Sequence, residues 1–292
     1  MQLETLLQLA LSGLAMGGIY AFIAVGFVTI HAVTGFINFA QGEFAMVAAL
    51  VTASLVGAGV PLALAVGVAV ACATLVGVAT ERLAVHPVRH ASPLVVLVMT
   101  VAASTALRGI ALLVWGTTPY SVPAFSAGPP VALGAAVIAR QDLWVLGLTA
   151  AAMVGLYLFF ERTIPGTAMR ACADNPMASR LMGISPGTMS LLAFGISALL
   201  AGLAGAAVAP ITLATYEMGL MLGLKGFVAA VIGGLRSTPG AVLGGLFLGV
   251  LESVGAGLIS SGYKDALAFS VLLAVLVFRP QGLLAGLRQR AA

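Results

Sequence analysis

From residue 6 to residue 278 the chain is a succession of apolar runs, separated by short stretches that hold nearly all of its charge. A soluble domain covers its core with a surface that makes it roughly a quarter charged overall. Here 8% of 292 residues are charged against 61% hydrophobic, so such a shell cannot be assembled. The solvent for most of this chain is lipid. In hydrocarbon a helix satisfies its own backbone N–H and C=O groups, and the expected fold is an all-α, polytopic transmembrane bundle forming one domain over residues 1–292. The 36 glycines suit helices that approach one another closely.

A bilayer core takes about 20 apolar residues, and charges or Pro/Gly clusters mark the ends of each segment. Nine segments result, within an expected eight to ten: 6–30, 44–58, 62–80, 94–115, 143–160, 189–211, 227–235, 241–259 and 266–278. The first is expected to be a membrane helix, because Glu4 stands where a cleaved leader carries basic residues. The segment 227–235 is too short for a full crossing and is flanked by Gly226 and by Gly233 and Gly234. It is expected to be a broken or half-helix, a form tolerated where protein or a watery cavity encloses it. The Pro- and Gly-rich stretch 117–141 is expected to be an irregular external loop. No internal repeat is visible.

With the N-terminus outside, Arg82, Arg89, Arg162, Arg170, Arg180, Arg236, Arg279, Arg288 and Arg290 fall on cytoplasmic loops, and only Arg140 and Lys264 fall outside. That asymmetry follows the positive-inside rule and places the C-terminus in the cytoplasm. It also accounts for the net charge of +4 without a nucleic-acid partner. GxxxG spacing at Gly13 and Gly17, Gly240 and Gly244, and Gly245 and Gly249 fits either packing within the chain or a subunit interface.

The internal loop 161–188 spells a short helix with both ends marked. Asp174 or Asn175 can cap the first free N–H groups, Pro176 suits the first helical position, and Gly183 suits the left-handed residue that ends it. Ser185 and Pro186 open the next helix in the same way. A helix of about two turns is marginal alone. Met177 and Leu181, one turn apart with Arg180 beside them, offer an apolar contact to a docked partner or to the lipid surface.

This loop resembles the cytoplasmic coupling loop of permeases in the branched-chain amino acid ABC transporter family, and in particular its LivH-type branch. The likeness continues through Gly35-Phe-Ile-Asn38-Phe39-Ala40-Gln41-Gly42-Glu43, through Gly233-Gly234-Leu-Arg-Ser-Thr-Pro239-Gly240, and through Phe278-Arg279-Pro280-Gln281-Gly282-Leu283. The resemblance implies a multi-pass inner-membrane subunit that forms half of a translocation pathway and works by alternating access. It implies as partners a second, related permease, two cytosolic ABC ATPases and an extracytoplasmic binding protein. It also implies that Arg170, Asp174, Asn175, Met177, Arg180, Leu181 and Gly183 belong to the element that couples to the ATPase. Asp174 and Asn175 would shape the helix, and Arg180 and Leu181 would touch the partner. The implied cargo is a branched-chain or similar small amino acid, with urea, amides or aromatic acids as the alternative.

ATP chemistry is expected to reside elsewhere. A Walker A loop needs Lys followed by Ser or Thr to hold phosphate and Mg²⁺, and Lys225 and Lys264 precede Gly226 and Asp265. No cofactor or metal is expected on this chain, which is read as a transport subunit and not an enzyme: His86 and His90 are separated by Pro87, and no nucleophile elbow is present. Asn38, Gln41 and Glu43 alternate with Phe36, Phe39 and Phe44 where Gly35 and Gly42 interrupt a helix, which suits either a pathway lining near the inner mouth or a polar interfacial turn. Arg108 and Glu252 lie inside apolar segments, where unpaired charge is costly. They are expected to pair with each other or with Glu43, as a tie between helices or as substrate contacts. An ion-coupled secondary transporter could use Glu43 and Glu252, but it would leave the capped internal helix without a purpose.

Overall fold

The computed structural model describes residues 2–133, 136–258, 260–279 and 282. All nine apolar segments are helices: α1 (Gln2–Thr34), α2 (Gln41–Gly57), α3 (Leu62–Thr80), α4 (Pro93–Trp115), α5 (Arg140–Arg162), then, after the loop helices α6 (Ile164–Asp174) and α7 (Pro176–Leu181), α8 (Pro186–Thr212), α9 (Met218–Gly233), α10 (Thr238–Leu258) and α11 (Lys264–Phe278). Seven helical spans among the described residues are long and apolar enough to cross a membrane; α2 and α9, with 17 and 16 residues, are shorter. The expected half-helix is therefore real but longer than its sequence boundary, since α9 starts at Met218 and takes in Lys225. At about 1.5 Å per residue it spans about 24 Å, still less than the hydrocarbon core.

The bundle is organised around α1, whose residues 19–28 are all buried. Its neighbour α10 comes close enough for backbones to touch: a Cβ on Gly17 would lie 2.7 Å from Leu246 Cα, and one on Gly13 would lie 2.7 Å from Gly249 O. Gly244 faces α9 at Ala229 and Gly233. Each GxxxG pair is thus used inside the chain. Buried hydroxyls cost little here, because Thr29, Thr52, Thr80 and Thr149 each donate to the carbonyl four residues earlier.

Two parts of the chain repeat one plan in opposite directions. The long α1 ends at Gly35 (φ +78), a non-helical stretch follows, and the short α2 begins. The long α8 ends at Leu213 (φ +67), the one non-glycine with positive φ among the described residues, and the short α9 follows in the same way. α1 and α8 run antiparallel, with Gly26 against Ser197 and with Ile30 sharing an apolar cluster with Phe194. α2 and α9 pass each other antiparallel, with the Phe39 and Phe227 rings 5.7 Å apart and Gly42 against Gly219 and Gly223. Nothing in the residues of 35–40 and 213–217 betrays the likeness, because it lies in backbone path and not in side chains.

Loop contacts show which ends share a side. At one end Tyr120 and Ala214 exchange backbone hydrogen bonds of 2.9 and 2.8 Å, and Gln8 both donates to and accepts from Val137. At the other, Arg89 lies beside Gly187, and Gly282 lies beside Gly234. This is the grouping that nine alternating crossings require, with most of the arginines at the second end. The loop expected to be irregular is so over 116–130, then forms a hairpin of β1 (Val131–Leu133) and β2 (Ala136–Ile138). Pro280, Gln281, Leu283, Arg288 and Arg290 lie outside the described residues.

The α1–α10 contact gives a direct test. Gly249→Val would drive a branched side chain into the backbone of α1 at Gly13 and Gly17, with an overpacking cost of about 1–3 kcal/mol. The expected outcome is a clear drop in thermal unfolding midpoint in detergent, whereas Gly147→Ala, at a site with nothing within 4 Å, leaves the midpoint in place.

Candidate functional site

The motif 35–43 enters the bundle from its arginine-rich end. α2 runs parallel to α4: the Phe39 N–H donates to Thr100 Oγ1 (3.3 Å), Ser104 Oγ donates to Glu43, and Trp115 Nε1 donates to Ser54 Oγ (2.6 Å). Thr100 lies about two turns, roughly 10 Å, inside α4, so α2 starts well within the layer. Irregular backbone at that depth needs protein around it, and Asn38, Ala40 and Gln41 are fully buried. Asn38 Oδ1 accepts from the Ala40 N–H (3.1 Å), taking the place of water at the turn.

Three polar side chains of this segment go to different places. Gln41 spends both ends on α8: its Nε2 donates to Ser197 O (3.1 Å) and its Oε1 accepts from Ser197 Oγ (2.6 Å). Gly26 of α1 makes room for that amide, since a Cβ there would strike it. Asn38 keeps its Nδ2 buried without a partner among the described residues. Glu43, 1% exposed, accepts through Oε1 from Ser104 Oγ at 2.9 Å and from Arg108 Nη2 at 3.0 Å and Nε at 3.3 Å. Its Oε2 has no hydrogen-bond partner among the described residues and lies against Gly219, at the start of α9. The carboxylate thus sits in the first turn of its own helix and beside the first turn of another, where both helix dipoles favour negative charge.

Arg108 and Glu252 do not meet. Arg108 takes Glu43, the second of the two expected partners. Glu252 instead pairs with Lys225, 3.1 Å from its Oε1, and accepts from Tyr20 Oη (2.7 Å). Lys225 also reaches Asp265 Oδ1 at 2.9 Å and sits over the Tyr20 ring. This cluster ties α1, α9, α10 and α11 together. Sequence reasoning gave Lys225 no partner because the segment boundary at 227 left it beside the segment and not within it; a lysine next to an apolar run was the available signal. Ser104, Ser197 and Tyr20 carried none, since small hydroxyls and tyrosine are common in membrane helices.

The loop 161–188 contains two helices where one was expected. α6 is capped by Thr163, whose Oγ1 accepts from the Gly166 N–H (3.1 Å), and it folds back on the end of α5, where Gly166 meets the backbone of Phe159 and Phe160. α7 is capped by Asn175, whose Oδ1 accepts from Met177 N and Ala178 N at 3.1 and 3.0 Å. Asp174 is not the cap; it is the last residue of α6. Arg170 is held by Glu161 within the chain. Gly183 has the expected left-handed backbone, φ +82, and Ser185 caps α8. Arg180 is exposed, and so are the apolar Met177 (68%), Leu181 (84%) and Met182.

A family model described as branched-chain amino acid transport system / permease component matches residues 9–276. The chain is 34% identical to the high-affinity branched-chain amino acid transport system permease protein BraD of Pseudomonas aeruginosa over 95% of each chain. It is 32% identical to the corresponding permease protein LivH of Escherichia coli, again over 95% of each. The autoinducer 2 import system permease protein LsrC of Escherichia coli is 33% identical over 59% of this chain and 51% of that one.

The Lys225 cluster sets an expectation for stability. Lys225→Met strands Glu252 in the interior and should cost about 3–5 kcal/mol. Adding Glu252→Gln removes the stranded charge and should restore most of the loss, read as the unfolding midpoint of both variants in detergent.

Proposed function

Because the chain belongs to the family of branched-chain amino acid transport permeases, we propose that it forms half of the pathway of an ATP-driven importer for branched-chain or related small amino acids. The pathway is completed by a second, related permease; two cytosolic ATPases bind the ATP and Mg²⁺, and an external binding protein delivers the cargo. The arginine-rich end faces the cytoplasm, following the positive-inside rule.

The observation that carries this reading is α7. Its backbone ends are satisfied by Asn175 and by the turn at Gly183, yet Met177 and Leu181 stand exposed beside Arg180. A one-and-a-half-turn helix with uncovered apolar side chains gains its stability on docking. A groove on an ATPase would accept Met177 and Leu181, with Arg180 at the rim, while Asn175 and Gly183 hold the helix in shape. Through Ser185 and Pro186, α7 leads directly into α8, whose Ser197 grips Gln41 at the root of α2. Displacement of α7 therefore pulls on the two half-helices. Access alternates because ATP and the loaded binding protein favour different states of the bundle. Near the crossing, Gly35 and Phe39 reach the inner boundary of the pathway, and the buried Asn38, Gln41 and Glu43 fix the backbone behind them.

The test is ATP-dependent uptake of labelled leucine into proteoliposomes holding this chain, its partner permease, both ATPases and the loaded binding protein. Arg180→Glu or Leu181→Asp should cut uptake by about tenfold or more while the complex still assembles. Asn175→Ala, which removes a cap worth about 1 kcal/mol, should give a partial loss. Uptake by this chain alone, driven by an ion gradient, would overturn the reading.

A further inference from the structure

Arg108 poses a problem that Glu43 does not solve. Its side chain is 25% exposed and stands at the edge of the buried stripe of α4, between buried Ser104 and Ala111 on one side and exposed Val101, Thr105 and Leu112 on the other. It lies about two turns, roughly 10 Å, from the Trp115 end of that helix. A guanidinium cannot face hydrocarbon there without heavy cost. Helical side chains point back toward the helix N-terminus, and Glu43 draws the guanidinium into the bundle, so it does not escape to the nearer interface by snorkelling. The face that carries Arg108 is consequently covered by protein or by water. If two permeases enclose a pathway, as proposed above, this is the face of α4 that turns toward it.

The donor geometry narrows the role. Every hydrogen bond that Arg108 makes among the described residues leaves from Nε and Nη2: both reach Glu43 Oε1, and Nη2 also reaches Ser104 Oγ at 3.2 Å. The two N–H groups of Nη1 are not engaged. A guanidinium has five donors; with Nε and Nη2 given to Glu43 and Ser104, the two on Nη1 remain to meet another carboxylate oxygen. Glu43 itself is 1% exposed and cannot meet a solute. Its part, with Ser104, is to hold the fork in one orientation. Val101 and Leu112 lie on either side of Arg108 along the face and give an aliphatic side chain apolar contact.

We propose that the unengaged Nη1 group of Arg108, positioned by Glu43 and Ser104, binds the carboxylate of the transported amino acid as it passes along α4. Arg108 is the substrate-contacting group; Glu43 and Ser104 are positioning residues. The inference rests on the permease reading and adds to it a chemical class of ligand, an α-carboxylate, and a residue that meets it.

Two measurements on the complete complex test it. The first compares uptake by wild type, Arg108→Lys, and the neutral pair Arg108→Met with Glu43→Gln. The pair removes the buried charge together with its partner, so no charge is stranded in the interior and the bundle still assembles. Carboxylate binding predicts that the assembled neutral-pair complex loses uptake about tenfold or more, and that Arg108→Lys, which keeps the charge but not the fork, falls between. The second places Thr105→Cys in a chain with Cys72 and Cys172 replaced and measures its reaction with a charged, membrane-impermeant thiol reagent. Reaction that slows in the presence of substrate and loaded binding protein is expected. Full uptake by the neutral pair, or a Thr105→Cys thiol that the reagent never reaches, would overturn the proposal. Failure of the wild-type complex to take up leucine with ATP would instead strike at the permease reading.

Discussion

Two helices of this protein begin inside the membrane layer, and the close approach of Gly42 to Gly219 and Gly223 makes this possible. A backbone that enters lipid without being helical must find its hydrogen bonds elsewhere. Here the stretch before α2 is wrapped by α1, α4 and α8, the stretch before α9 is tied to Tyr120 through Ala214, and the first turns of the two short helices lie side by side. Any side chain larger than hydrogen at Gly42 would strike the backbone of α9 and force the two apart. The buried carboxylate of Glu43 fits the junction because two helix N-termini are there to receive it.

Around that junction the charges within the bundle form two separate groups, the second joined by exposed Asp265 at the start of α11. Arg108 and Glu43 join α4 to α2; Lys225 joins Glu252 and Asp265, and so links α9 to α10 and α11. Between them stands α9, with Gly219 against Glu43 at one point and Lys225 on the second cluster two turns later. Each tie relieves the cost of an ion in a low-dielectric interior, so each fixes which helices remain neighbours when the bundle moves. The loop helices connect to the same assembly: α6 folds back on α5, and α7 continues into α8, which holds α2 through Ser197 and Gln41. A force applied at α7 thus has a continuous packed route to the point where the two half-helices cross.

A good part of this was legible in the chain itself. The nine helices, the short one near residue 227, the position of Pro176, the left-handed Gly183 and the exposed Met177 and Leu181 all follow from local rules that act over one or two turns. The partner of Arg108 was narrowed to two acids but not chosen, because 65 residues separate it from Glu43 and only packing brings them within 3.0 Å. Asp174 and Asn175 were equally good caps on paper; the break between α6 and α7 falls after Asp174, which leaves Asn175 as the cap.

Composition and apolar period decided that this chain lives in lipid, how many apolar segments it makes and which loops gather the arginines, since the cost of putting charge or unsatisfied backbone into hydrocarbon acts on each segment by itself. The tertiary structure decided that α1 and α8 return on themselves through Gly35 and Leu213, that α9 reaches back to Met218, that Glu252 belongs to Lys225, and that the glycine pairs serve contacts within the chain. Those outcomes depend on which backbones can touch, and that depends on distances between residues far apart in the chain, which no local pattern of side chains records.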